Sequence, residues 1–160
     1  MRLTAYTDYT LRALIFLAGN RERLVKIQDI ADQHGISKNH LTKVIYQLGL
    51  SGLIQTVRGR NGGLRLAREP EAINIGAVVR GTETDFFMAA CFDAGREACP
   101  YAECCGLKGL LGRATAAYLA VLDAASLADL LAGPQLASGQ LTAQPWQRML
   151  AGTSHFGGGR

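Results

Sequence analysis

Four cysteines, Cys91, Cys99, Cys104 and Cys105, fall within the single stretch CFDAGREACPYAECC, and the rest of the 160-residue chain contains none. Glycine, proline and charged residues interrupt this stretch, so it reads as a loop rather than a helix or strand. Sulphur is a soft donor, and thiolates gathered on one loop suit a soft metal or an iron–sulphur cluster that the loop can wrap. Two other chemistries use the same residues. A structural zinc ion also takes tetrahedral thiolates, and a metal-free thiol–disulfide pair can be drawn from Cys104 with Cys105 or Cys99. Colour separates the first rival, since a zinc protein is colourless, and iron chelation separates the second. The apolar run LRALIFLAG is short, and Asp8 and Arg12 break the approach to it. It therefore reads as neither secretory signal nor membrane span. The expectation is a reduced, cytoplasmic setting without membrane attachment, where clustered cysteines bind metal or sense redox change.

A partner for the remainder is suggested by the charge pattern. Residues 1–70 carry eleven Lys/Arg against five Asp/Glu, a net of +6, whereas residues 71–160 carry six against eight, a net of −2. A basic first half points to a polyanion. Hydrophobic residues are 48% and charged residues 19%, a globular composition in a chain long enough for one modest core with an appendage. An enzyme is not expected. The chain has no nucleotide-binding loop, no Ser/His/Asp set and no paired carboxylates, and His34, His40 and His155 read as surface residues.

The elements that must place these groups follow in order. Thr7 or Asp8 caps a first helix running to about Gly19-Asn20, with Leu11, Leu14, Ile15, Leu17 and Ala18 at helical spacing. A second helix fits Ile27–His34. Gly35 makes a sharp turn, and Ser37 caps a third helix with Leu41, Val44, Ile45 and Leu48 as its buried stripe. This is a helix-turn-helix layout. It leaves Ser37, Lys38, Asn39, His40, Thr42 and Lys43 outside, as short hydrogen-bonding groups and cations suited to base edges and phosphates. Leu53–Val57 and Leu64–Leu66 form a β-hairpin with a glycine-rich tip carrying Arg58 and Arg60, placed to meet phosphates or a narrow minor groove. The fold class is mainly α with a small β-hairpin, a winged helix-turn-helix plus a long dimerisation helix.

Pro70 is read as closing the compact part, and a short helix follows over Ile73–Gly81. Residues 1–80 are thus expected to form the DNA-binding domain and 81–105 the cysteine loop. Residues 106–132 form the dimerisation helix, with Leu107, Leu111, Ala114, Tyr118, Val121 and Ala125 in its stripe and a second capped turn from Ser126. Residues 133–160, rich in Gly, Ser, Gln and Ala, read as a flexible tail, with Trp146 and Leu150 as its docking groups.

Together the stretches MRLTAYTDYTLRAL, VKIQDIADQHGISKNHLTKVI, TVRGRNGGLRLAREPEAINIGAVVRGTE and the ending CCGLKGLL resemble the NsrR-type nitric-oxide-sensing repressors, a winged-helix family that also includes IscR. The resemblance spans about residues 1–132. It implies a homodimer on a double-stranded DNA operator, released when nitric oxide reacts with an iron–sulphur cluster held by three cysteines. The implied cluster is 4Fe-4S, with 2Fe-2S as the alternative. The family's Leu-Lys after the last ligand matches Gly106-Leu107-Lys108 and so points to Cys105. Its usual gap points back to Cys99, and its leading Cys-Phe to Cys91-Phe92. Cys104 is then the spare or competing thiol. The Cys91–Cys99 gap is slightly longer than the family pattern. The resemblance further implies a fourth ligand, Asp8 of the partner subunit; as a helix-start carboxylate, Asp8 equally suits the positive end of the helix dipole.

Overall fold

The computed structural model describes residues 2–93 and 105–131. Cys99, Cys104 and the 133–160 tail, with Trp146, Leu150 and His155, lie outside the described residues. The elements run α1 (Ala5–Ala18), α2 (Ile27–His34), α3 (Lys38–Leu50), β1 (Ile54–Val57), β2 (Gly63–Leu66), α4 (Ile75–Thr82), α5 (Gly106–Asp123) and α6 (Leu127–Leu131). Short 3-10 turns cover Pro70–Ala72 and Ala90–Phe92. The fold is mainly helical with one antiparallel hairpin, as the sequence implies.

The first helix begins one turn earlier than expected. Thr4 is the N-cap, and its hydroxyl accepts from the Thr7 amide at 3.2 Å. Thr7 is fully buried, and its hydroxyl donates to Thr82 Oγ1 at 2.9 Å, which ties α1 to the end of α4. Either threonine can cap; Thr7 is recruited to the interior, so Thr4 takes the end. Asp8 then falls in the first turn, where the dipole favours a carboxylate.

The helix-turn-helix forms as its pattern dictates. Gly35 sits at φ 63°, a left-handed conformation that costs glycine little and ends α2. Ile36 is buried beyond it, and Leu41, Val44, Ile45 and Leu48 of α3 face the core. Ser37 holds the N-cap position of α3 without a side-chain capping bond. The wing is docked by its backbone. Val25 and Leu64 exchange N–H···O bonds of 3.0 and 2.8 Å, and a Cβ on Gly63 would lie 2.9 Å from the Val25 carbonyl oxygen. Only a residue without a side chain fits there.

Pro70 does not end the compact body. It is buried, and the chain turns back to place Ile73, Ile75, Val78 and Val79 in the same core as α1 and α3. Leu127 of α6 is fully buried in that core as well. Two backbone bonds, Leu127 N to Ile73 O at 2.8 Å and Ile75 N to Ala125 O at 2.9 Å, join the start of α4 to the segment after α5. The Arg80 guanidinium pairs with both carboxylate oxygens of Asp123, with Nη2 to Oδ2 at 2.7 Å. This pairing holds the Asp123 carboxyl below its usual range. A Cβ on Gly76 would lie 2.8 Å from the Asp123 amide nitrogen and closer still to its side chain. Gly76→Ala is therefore expected to force α4 and α5 apart and cost about 1–3 kcal/mol, as overpacked contacts do; urea denaturation checks this.

Candidate functional site

The N-terminal half of α3 presents one continuous polar surface. Lys38, Asn39, His40, Thr42 and Lys43 are exposed, and α3 carries no acidic residue in its first turn. Thr42 donates its hydroxyl to the Lys38 carbonyl at 2.9 Å, leaving the oxygen's lone pairs outward. The His40 ring stacks on Tyr9 of α1, with centroids 6.2 Å apart and planes at 24°. Arg58 and Arg60 are exposed at the wing tip, beside Gly59 at φ 117°. Arg65 is committed elsewhere: it grips Gln55 across the hairpin at 2.8 and 3.0 Å. The structure thus keeps the two tip arginines as the wing's free cations among the described residues.

One residue on this surface escaped the sequence reading. Tyr46 is 64% exposed, although it is large and aromatic. It lies seven residues beyond Asn39 and three beyond Lys43, so it shares their helix face. That spacing was the available signal. A Tyr46 hydroxyl on a recognition-helix face suits a phosphate oxygen.

The cysteine segment is described at its two ends. Cys91 lies in the Ala90–Phe92 turn, and Cys105 is the residue immediately before α5; both are half-buried free thiols. Phe92 leans on α5, since a Cβ at Gly112 would be 4.0 Å from its ring. Gly112 is two turns along from Cys105, a rise of about 10 Å. Both ends of the loop therefore lie against the same half of one helix. Cys105 makes no side-chain capping bond, and no acidic residue occupies the first turn of α5. The Cys105 sulphur is therefore uncommitted at the start of the helix among the described residues. Among the described residues, no three His, Cys, Asp or Glu side chains converge on one point. Asp8 faces its own neighbour, with Arg12 Nε 2.9 Å from Asp8 Oδ2 and both side chains nearly half exposed.

His34 closes α2 near this pair. Its ring meets Phe16 edge-on at 5.9 Å, and its Nε2 is buried with no hydrogen-bond partner among the described residues. Burial, with Arg12 adding to it, pushes the imidazole pKa down. A base with a depressed folded pKa destabilises on the acid side: the unfolded chain takes a proton that the folded chain refuses. Stability is expected to fall as pH drops through about 6.5. His34→Phe should flatten that slope in thermal melts between pH 7.5 and 5.

A helix-turn-helix with a basic, acid-free recognition face and a wing tipped by two free arginines defines a DNA-binding transcription regulator. The chain belongs to the Rrf2 family, described as "Iron-dependent Transcriptional regulator", whose sequence profile matches residues 3–133. It is 56% identical over 132 residues to the HTH-type transcriptional regulator NsrR of Bacillus subtilis strain 168, covering 82% of this chain and 90% of that protein. It is 55% identical over 132 residues to the NsrR of Bacillus licheniformis, covering 82% and 92%. Among solved structures it is similar to T. potens IscR, with a TM-score of 0.67 at 27% identity over 92% of this chain and 96% of that one. The chain is a DNA-binding transcriptional repressor and not an enzyme. No helix among the described residues is long and apolar enough to cross a membrane.

Proposed function

We propose that the chain works as a homodimer whose operator affinity depends on an iron–sulphur cluster and is lost when nitric oxide reaches that cluster. Cys91, Cys99 and Cys105 would hold it, with Cys104 as the spare thiol and Asp8 of the partner subunit as the fourth donor. The preferred group is 4Fe-4S, with 2Fe-2S as the alternative. When bound, the cluster supplies a nitric-oxide-reactive iron centre and a crosslink between the two ends of the loop.

One observation carries this reading: Cys105 stands at one end of α5, and the other end is fastened to the DNA-binding core. Asp123, Arg80, Asn74 and the Ile75–Ala125 backbone bond fix the C-terminus of the helix. Eighteen residues span about 27 Å. Constraint or release at Cys105 is thus transmitted along a rigid rod to α4, and from α4 through Thr82 to Thr7 of α1. The sulphurs hold or free the rod, Arg12 competes for Asp8, and α3 and the wing hold DNA. A thiol at a helix N-terminus facing no acidic neighbour in the first turn fits the donor set that such a group needs.

Helix α5 supports a second subunit. None of its residues is buried, and Leu107, Leu110 and Val121 are 60%, 53% and 71% exposed. Steps of three and eleven residues put all three along one face. An apolar stripe left open over the whole length of a helix calls for a partner helix, most simply its symmetry mate. Leu110→Glu is expected to yield monomers in sedimentation equilibrium at concentrations where the parent is dimeric. Iron and acid-labile sulphide analysis of anaerobically purified protein tests the metal assignment. Iron with sulphide supports it, whereas stoichiometric zinc, or no metal in protein that still binds its operator, overturns it.

A further inference from the structure

A cleft of about 490 Å³ opens between the C-terminal half of the recognition helix and α4. Its walls are mainly apolar, with Leu48 and Leu50 from α3, Leu53 before β1, and Ala77 and Val78 from α4. No carboxylate lines it, and its single cation is Arg68. Arg68 donates Nε–H to the Gly52 carbonyl at 3.1 Å, and it has no carboxylate partner among the described residues. Thr10 also lines the cleft and is fully buried; the Tyr6 phenol is beside it, but the Thr10 hydroxyl has no partner at hydrogen-bonding geometry among the described residues. The volume falls within the range of small-molecule sites, which pair a mostly apolar lining with a few placed polar groups.

We propose that this cleft is a ligand site for a small amphipathic monocarboxylate, with its chain along Leu48, Leu53 and Val78 and its carboxylate on Arg68. A guanidinium whose terminal nitrogens are uncommitted binds a carboxylate through paired N–H donors. One such cation balances one negative charge, not the two of a phosphate monoester. An apolar cation would be repelled, and a neutral chain would leave the guanidinium unused. Gln47 and Ser51, at the far end of the recognition helix, also line the cleft. Occupancy therefore bears directly on the helix that meets DNA, and any effect on operator affinity must be mirrored in ligand affinity. The site is independent of the cysteine-held group.

Octanoate, octanol and octylammonium serve as probes on the full-length protein, by calorimetry and thermal shift. Octanoate is expected to bind saturably, one per chain, with a Kd of about 1 mM or tighter, which its roughly ten non-hydrogen atoms can supply. The other two should bind at least about tenfold more weakly, the scale of one charge-assisted contact. Arg68→Gln should weaken octanoate by a similar factor, Arg68→Lys should restore only part of it, since an ammonium keeps the charge but not the paired donors, and Ala77→Trp should fill the cleft and abolish binding. Equal binding of all three probes, undiminished octanoate binding in Arg68→Gln, or no saturable binding by the parent at about 10 mM would each overturn the proposal. Retained binding by a folded Ala77→Trp would place the ligand elsewhere and do the same; if that variant fails to fold, the Arg68 pair decides alone.

Discussion

Cys105→Ser protein, purified without oxygen, is expected to hold little iron or sulphide and to bind its operator about a hundredfold more weakly than the parent. The direction follows from the rod geometry. Cys105 is the last loop residue before α5, and the far end of α5 is locked to α4 through Arg80, Asp123 and Asn74. On the proposed function, removing the sulphur would unlink the free end, and two recognition helices would lose their fixed spacing of about one DNA turn, roughly 34 Å. A loss of about 3 kcal/mol suffices for two decades of affinity. Cys91→Ser should behave alike, because its turn lies against the same half of α5 through Phe92. Cys104→Ser should keep iron, sulphide and DNA binding. Iron content and fluorescence anisotropy on a labelled operator check all three. Loss in Cys104→Ser with retention in Cys105→Ser would exchange the roles of the adjacent thiols.

The second large effect is expected at the wing. Arg58→Ala/Arg60→Ala should weaken operator binding about tenfold to a hundredfold near 0.1 M salt, and it should lower the slope of log affinity against log salt by about 2. The reason is that both guanidinium groups are free at the tip, whereas Arg65 is spent on Gln55. Gly63 lets the hairpin press against Val25, which fastens β2 to the helical body just below the tip. Folding should be unchanged, since both side chains are exposed. Lys43→Ala, on α3, should cost less and lower the slope by about 1. Arg65→Ala should leave the slope unchanged while loosening the hairpin, which separates a DNA contact from a structural arginine. Anisotropy titrations at several salt concentrations distinguish these outcomes.

What sequence made legible was whatever local periodicity and turn chemistry decide. Ile27–His34 forms the second helix with the bounds its pattern gives, Gly35 makes the left-handed turn, and the α3 stripe of Leu41, Val44, Ile45 and Leu48 is buried. Ser126 starts the capped turn as expected, its hydroxyl 2.7 Å from the Asp129 carboxylate. Distant partners were illegible. Thr7 reads as a cap because threonine caps well, yet its bond is to Thr82, 75 residues away. Pro70 reads as a terminator because local chemistry cannot show that Ile73 will meet Leu127. Gly76 gave no signal in sequence, since its need arises only where α5 passes close by. At the site, charge and helical spacing picked out the exposed polar residues of α3 but passed over Tyr46, because an aromatic residue is ordinarily assigned to the core. The order of ligands along the cysteine loop came from resemblance alone.

The decisive experiment titrates nitric oxide into anaerobic protein already bound to labelled operator, with visible absorption and anisotropy followed together. The cluster absorption and the DNA-bound fraction are expected to fall over the same range of nitric oxide added per cluster. Full bleaching of the visible band with the operator still bound at its original affinity would contradict it.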